Sequence, residues 1–230
     1  MGTFITSGDR TFLTGITGDE KSGGIGAQTR AALATLDTRL NEASVDRRSL
    51  LTVHIWLADM AHFQEMTAKW NAWIGNDEPP SRSCVSGGAL QPGALIQVVA
   101  TAASPVANQA NIPVERYGLV RGTGRPTMCL ALAHGNWFTV CTLASDCSQD
   151  ITGQTRQILA DFDRFLGEAG TERSKVLTVD LWLKRMSDRE AVENVLAGWL
   201  NRDQLPAGSC VRADMARPEM LIEIRITAAR

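Results

Sequence analysis

The chain lacks the features of a membrane or exported protein. No apolar run approaches the roughly 18 residues that a membrane-spanning helix requires, and a content of 44% apolar and 21% charged residues is typical of globular proteins. The first seven residues have neither the basic start nor the apolar stretch of a secretory signal. We therefore expect a soluble, cytoplasmic protein with no membrane partner.

The chain also lacks a large charge of either sign. Its net charge is -2, and lysine and arginine are scattered without a basic tract, which disfavours nucleic acid as the main partner. Five cysteines are an odd number in a chain without an export signal, so reduced thiols are expected rather than a disulfide framework. The three histidines lack the paired spacing of a zinc site, so no metal is expected.

An internal repeat organises what is present. Gln28-Thr29-Arg30 recurs as Gln154-Thr155-Arg156, an offset of 154 − 28 = 126 residues, and this register continues without a gap until Thr101 meets Thr227. A fixed offset over this length indicates two copies of one structural unit. We predict a first domain over 1–105, a proline- and glycine-containing connector over 106–127, and a second domain over 128–230.

The periodicity of apolar residues predicts the same elements in both copies. Residues 33–43 and 159–169 repeat at the three- and four-residue spacing of an amphipathic helix, and 51–57 alternate as a half-buried strand does. With a leading hairpin, a second helix and two closing strands, each copy reads β-β-α-β-α-β-β. This order predicts an α+β fold, a mixed sheet covered on one face by two helices. Ser187 and Glu190 have capping-box spacing, which predicts the start of the last helix.

Several short motifs resemble one family. The string Pro80-Ser81-Arg82-Ser83-Cys84-Val85, together with the Gln-Thr-Arg helix start, resembles the Rid (YjgF) family, and the second copy resembles it through Arg116-Tyr117-Gly118, Gly153-Gln154-Thr155-Arg156 and Arg217-Pro218. The resemblance covers nearly the whole chain, twice. It implies two chorismate-mutase-like domains, and a homo-oligomer with trimer-like packing and ligand clefts between domains.

The resemblance also implies an activity, the hydrolysis of a short-lived 2-imino or enamino acid to a keto acid and ammonia, without metal or organic cofactor. Arg82 would anchor the substrate carboxylate, since a guanidinium offers the paired donors that a carboxylate accepts. Cys84 would line the cleft, and Gly15 would allow close backbone approach to the ligand. Gln97 occupies the position of the family's water-orienting glutamate, where an amide can hold water but cannot accept a proton.

The second copy has the reverse defect. Glu223 keeps the glutamate, but Gly208 stands at the arginine position and Cys141 at the cleft glycine, so the second site is degenerate. Cys210 repeats Cys84 although the arginine is gone, which favours a packing role for this thiol.

Three hypotheses follow from these incomplete sites. The first is a deaminase acting through Arg82. The second is a non-catalytic binder of small carboxylates or a regulatory protein, suggested by the broken sites. The third is a ribonuclease, which the acidic charge disfavours.

Overall fold

The computed structural model describes residues 3–18, 23–87, 90–105, 112–201 and 203–230. The chain divides into two compact units, Met1–Gly135 and Asn136–Arg230. None of the helices in the described ranges combines the length and the apolar character that crossing a bilayer demands.

The first unit is a mixed sheet with two helices on one face. The sheet order is β1-β2-β5-β3-β4-β7, with β6 beside β7; β3, β4 and β7 run parallel and the other neighbours antiparallel. Helix residues such as Leu36 and Trp70 pack with strand residues such as Ile55 in one buried cluster. The elements are β1 Phe4–Ser7, β2 Arg10–Thr17, α1 Ile25–Glu42, β3 Leu50–Leu57, α2 Phe63–Ile74, β4 Ser81–Ser86, β5 Ile96–Ala103, β6 Val114–Val120 and β7 Met128–His134.

The second unit repeats this plan with fewer strands. Its strand order is β8-β11-β9-β10; β11 is antiparallel to β8 and β9, and β10 is parallel to β9. Phe162 and Phe165 of one helix are fully buried, as are the alternate residues Ile222, Ile224 and Ile226. The elements are β8 Trp137–Leu143, α3 Ile151–Glu168, β9 Val176–Leu183, α4 Arg189–Trp199, β10 Ala207–Arg212 and β11 Ile222–Ala229.

The glutamine of the repeated Gln-Thr-Arg string joins a helix to the loop before the last strand. Gln28 is 2% exposed; its amide donates to the Gly93 carbonyl at 3.0 Å and accepts from Leu95 N at 2.8 Å. Gln154 does the same with the Glu219 carbonyl and Leu221 N, each at 3.0 Å. Since both ends of a buried amide are satisfied in each copy, this motif residue serves the fold.

A second duplicated feature fixes each helix pair. Arg47 donates to both oxygens of Asp37 at 2.6 Å, and Trp73 Nε1 donates to the same carboxylate at 2.9 Å. The equivalent residues 126 positions later repeat the arrangement. Arg173 donates to both oxygens of Asp163 at 2.5 Å, and Trp199 Nε1 donates to the same carboxylate at 3.0 Å. A bidentate pair beside an indole is geometrically demanding, so its duplication shows how closely the two copies share one architecture.

The predicted α+β class and element order are confirmed, and two details differ. The capping-box prediction is wrong, because Ser187 lies in a 3₁₀ turn, Met186–Asp188, and α4 begins after it at Arg189. Asp188 takes the cap position, with its carboxylate accepting from Arg185 at 2.9 Å. The predicted connector contains a strand, β6, whereas its residues 106–111 lie outside the described ranges.

Residues 114–135, including β6 and β7, belong to the first compact unit. The domain boundaries at 105 and 128 remain predictions about the repeat.

Candidate functional site

Arg82 lies on β4, on the face that α2 covers. It is 3% exposed, and its neighbour on β3 is the core residue Val53. Nη2 lies 3.4 Å from Thr67 Oγ1 and 3.7 Å from Met66 Sδ, both on α2.

The same guanidinium is close to two aromatic rings. Its carbon is 5.3 Å from the centroid of Trp70 and 5.6 Å from that of Phe63. Ring faces attract a cation within about 6 Å, and charge interactions are stronger where water is excluded. The surroundings therefore hold a charged group in place and would favour an anion that reached it.

Cys84 shares this face two residues further along the strand. It is 8% exposed, pairs with Ile55 and belongs to the core cluster of the unit. Side chains two apart on a strand point to the same side, so the structure brings Cys84 and Arg82 together on one face. Its packing among core residues accounts for the thiol without a chemical role.

Gly15 lies where β2 changes register. Its φ is +62°, in the left-handed region, and the pairing with β5 shifts between Leu13 and Ile16. A Cβ added at Gly15 would meet no other atom within 4 Å. The backbone conformation alone gives this position a reason to be glycine, and the predicted role in ligand approach stays a prediction.

Gln97 lies on the opposite face of the sheet from Arg82. Arg82 pairs with Val53, which pairs with Ala100, so these three share the helix-covered face. Gln97 is three residues before Ala100 and therefore points to the other side, where it pairs with Trp56. The two side chains predicted to act on one substrate are not brought together within the first unit.

The face of Gln97 carries a pair that the sequence analysis missed. His54 Nδ1 and Ser83 Oγ share a hydrogen bond of 2.5 Å, and the His54 ring meets the edge of Trp56 with centroids 4.3 Å apart. Both residues are buried. In the second copy Ser209 donates to Asp180 at 2.7 Å in the equivalent place. The alternation along β3 and β4 places these side chains on one face, and only the pairing of the two strands brings them together.

In the second unit the glutamate is hydrogen-bonded to the cysteine that stands at the position of the cleft glycine. Glu223 is 4% exposed and accepts a hydrogen bond from Cys141 Sγ at 3.2 Å. Burial, and next the charge of Glu223, raise the pKa of the Cys141 thiol well above its ordinary value. Arg225 pairs with Cys141 across the strands and lies 5.0 Å from the Trp182 ring. These residues form a neutral thiol and a carboxylate that bind each other.

Gly208 and Cys210 lie on β10, the last strand in the order of the second unit. A Cβ at Gly208 would lie 3.0 Å from the Val179 carbonyl, so any side chain there requires a small shift of the neighbouring strand. Cys210 is half-buried, and burial raises the pKa of its thiol. The second copy has thus lost the arginine, and Gly208 lies on an exposed strand.

Arg116, another motif residue, has a structural role. Its guanidinium donates to the carbonyls of Pro79 at 3.1 Å and Arg48 at 2.7 Å and to Glu78 at 2.8 Å. Burial lowers the pKa of Arg116. It borders a cavity of about 840 Å³ that Arg82, Cys84 and Gln97 do not line. In the part of the chain that the structure describes, no three His, Cys, Asp or Glu side chains are grouped so that they could hold a metal ion.

Comparison with known proteins identifies the family. The family model described as endoribonuclease L-PSP matches residues 2–104 and 134–230. The chain belongs to this family. Its members, also called Rid, YjgF or RutC proteins, include imine deaminases. The resemblance drawn from the motifs is confirmed, once in each copy.

Single-domain relatives align with part of the chain. A RutC family protein of Haemophilus ducreyi is 28% identical over 100 residues, which cover 44% of this chain and 86% of that protein. The RutC family protein YoaB of Escherichia coli is 32% identical over 96 residues, covering 42% of this chain and 84% of that protein. Each relative is therefore comparable in length to one copy of the repeat.

A solved structure matches both copies together. A chorismatase crystal structure superposes with a TM-score of 0.74 over 98% of this chain and 76% of that one, at 17% identity. At that identity the likeness shows the fold alone. The chorismatase therefore shares the α+β fold of this chain.

Proposed function

We propose that this protein hydrolyses 2-imino or enamino acids to keto acids and ammonia, and that Arg82 binds the substrate carboxylate. The observation that carries the proposal is a guanidinium buried on β4 close to two aromatic rings, in a family that includes imine deaminases. A carboxylate reaching this place would form paired, charge-assisted hydrogen bonds.

Binding would require the side chains around Arg82 to move apart, because Arg82 is 3% exposed. The 3.4 Å contact from Arg82 Nη2 to Thr67 Oγ1 is long for a hydrogen bond. A substrate carboxylate could replace Thr67 as an acceptor, and Phe63 and Trp70 would still flank the guanidinium. Such a site would hold the substrate by its acid group and leave the imine carbon open to water.

The side chain that would orient the water lies apart from Arg82. Gln97 is an amide on the other face of the first sheet, so it would act on a substrate at Arg82 only across an interface with another molecule. Its amide would position a water and leave proton transfer to the substrate or to other waters. We therefore expect a slower reaction than a carboxylate in that position would give.

The test is an imine-trapping assay. An amino-acid oxidase generates a 2-imino acid in the presence of semicarbazide, which competes with hydrolysis for the imine. We expect the protein to lower the early yield of semicarbazone and raise that of free keto acid, because ammonia is released by both routes, and we expect Arg82→Ala to abolish the effect. Arg82→Lys should retain little of it, because an ammonium lacks the paired donors.

The matched control is Arg212→Ala. Arg212 lies on the equivalent strand of the second copy, with a side chain 62% exposed, and its removal should leave the assay unchanged. If the wild-type protein does not change semicarbazone yield, the deaminase proposal is wrong. If Arg82→Ala retains full activity, the assignment of the anchor is wrong.

A non-catalytic carboxylate binder is the second candidate. The observation that favours it is the placement of Gln97, an uncharged side chain on the face away from Arg82. This candidate predicts that a small 2-keto acid raises the melting temperature of the wild-type protein but not of Arg82→Ala, with no effect in the trapping assay. Cleavage of RNA that survives Arg82→Ala would instead favour the ribonuclease.

A further inference from the structure

We propose that the groove between helices α3 and α4 of the second unit is a further ligand site, which binds a small organic anion with an aromatic body. The two helix pairs of the repeat differ at this place. Side chains of α2 cover the start of α1 in the first unit, and the equivalent positions of the second unit are open. Arg82 and the proposed reaction take no part in this site.

In the first unit two side chains of α2 cover the first turn of α1. A Cβ added at Gly26 would collide with a carboxylate oxygen of Glu65 and would lie 3.2 Å from Cε of Lys69. Gly26 is accordingly buried. The Glu65 carboxylate therefore lies beside the start of α1, where the unpaired backbone N–H groups of a helix favour negative charge.

The second unit keeps the helices and lacks both covering side chains. The residues 126 positions after Glu65 and Lys69 are Ala191 and Val195, and they line a groove of about 620 Å³ between α3 and α4. Gly198 also lines it, where the first unit has an alanine. The volume falls in the range of small-molecule sites, about 300–1,000 Å³.

The floor of the groove is apolar. Leu159 of α3 and Trp199 of α4 line it and are 4% and 7% exposed, and Ala191 and Val195 are half-buried. The indole of Trp199 is held in place because its Nε1 donates to Asp163 at 3.0 Å. A flat apolar body would bury carbon surface against these side chains, and an aromatic ring packs favourably against an indole.

The rim of the groove favours an anion. Thr152 and Arg156 line it one helical turn apart on α3. Arg156 is exposed, and it makes no ion pair or side-chain hydrogen bond within the part of the chain that the structure describes. Thr152 lies in the first turn of α3, whose backbone N–H groups add partial positive charge.

Of the described residues that line the groove, Arg156 is the one that carries a charge. Asp150 caps α3 by accepting from Gly153 N at 2.8 Å, and it is not part of the lining. The anionic group of a ligand would therefore bind beside Arg156 and the start of α3, as the Glu65 carboxylate lies beside the start of α1.

The first test measures binding of anilinonaphthalene sulfonate, an aromatic anion whose fluorescence rises in apolar surroundings. We expect saturable binding to the wild-type protein. Arg156→Gln should raise the dissociation constant about tenfold, because a charge-assisted contact is lost. The same variant should leave the binding of phenylnaphthylamine unchanged, since this probe has the aromatic body without the sulfonate.

The second test closes the groove with the side chains of the first unit. Ala191→Glu and Val195→Lys, combined in one chain, should raise the dissociation constants of both probes at least about tenfold, because the two side chains would fill the groove. The matched control is Arg30→Gln. Arg30 is the equivalent of Arg156 on the covered helix pair, and its replacement should leave both constants unchanged.

The third measurement locates the bound sulfonate by the shifts of backbone amide signals in NMR spectra, which should be largest in α3 and α4. Arg156→Gln changes an exposed helix residue and decides the matter even if the double variant does not fold. Absence of saturable binding to the wild-type protein overturns the proposal. Unchanged sulfonate affinity in Arg156→Gln overturns it as well, and so do shifts that leave out these two helices.

Discussion

The two units keep the same structural contacts and differ in their chemistry. Two sets of contacts in the first unit recur in the second. The Asp37–Arg47 ion pair recurs as Asp163–Arg173, and the hydrogen bonds of the Gln28 amide recur at Gln154. The candidate site does not recur: the first unit has Arg82 without a carboxylate at position 97, and the second has Glu223 without an arginine. Duplication therefore preserved the contacts that fold the domain and released the residues that would bind a ligand.

The largest difference that we expect between the units is at α2 and α4. Trp70 is fully buried and bonded to Thr127, so Trp70→Ala should lower the free energy of unfolding by about 3–5 kcal/mol. Its counterpart Leu196 is 6% exposed and has no polar group, and Leu196→Ala should cost about 2–3 kcal/mol. Urea unfolding followed by circular dichroism measures both. Equal losses would contradict the view that the hydrogen bond to Thr127 gives Trp70 a larger contribution than Leu196.

The next effect concerns the thiol that fills the second site. Cys141→Ala removes the donor to the buried Glu223 carboxylate, and the loss should be about 1–3 kcal/mol of unfolding free energy. Cys141→Ser keeps a donor and should recover part of it. Cys210→Ala, at the half-buried cysteine, should change stability by less than about 0.5 kcal/mol. A Cys141→Ala variant as stable as the parent would show that this bond is incidental.

Alkaline pH should lower the stability of the first unit through the thiol of Cys129 on β7. Burial raises the pKa of Cys129 from an ordinary value of 9.0 to about 12. The folded chain therefore binds one more proton than the unfolded chain between pH 9 and 12, and stability falls as pH rises through that window. The slope from one such group is at most about 1.4 kcal/mol per pH unit.

Cys129→Ala should remove that contribution, so its unfolding free energy should decline less steeply with pH than that of the parent. Chemical denaturation at several pH values between 9 and 11 measures the slopes. Parallel curves for the two proteins would contradict the assigned cause.

The smallest effect is at the duplicated ion pair. Asp37 and Arg47 have side chains 28% and 35% exposed, against 35% and 47% for Asp163 and Arg173. Solvent screens exposed pairs, so Asp37→Ala should cost about 1 kcal/mol and Asp163→Ala about half as much. Melting temperatures at low and high salt measure both. A larger loss for Asp163→Ala would reverse the expected order.

The sequence allowed the fold to be predicted because the repeat gave each element two readings. Leu33, Leu36 and Leu40 and their equivalents in α3 marked the same helix, and their buried stripes are as expected. The start of α4 was predicted wrongly, because Ser187–Glu190 has the spacing of a cap while an intervening 3₁₀ turn moves the cap to Asp188. Local spacing does not reveal such a turn.

The candidate site was less predictable than the fold. The motif located Arg82. Which face of the sheet Gln97 takes depends on how β3 pairs with both β4 and β5, and this pairing places Gln97 on the face opposite Arg82. The hydrogen bond between His54 and Ser83 joins positions 29 residues apart. Contacts of this kind arise from tertiary packing and leave no local signal in the sequence.

The strand that completes the first unit comes from residues that the repeat assigns to the second copy. Dividing the gene after residue 105 would therefore give a half-protein in which β4 has lost its neighbour β7 and Trp70 has lost its hydrogen bond to Thr127. When the halves are expressed separately, we expect the protein to aggregate. The length that was duplicated and the length that folds are different in this molecule.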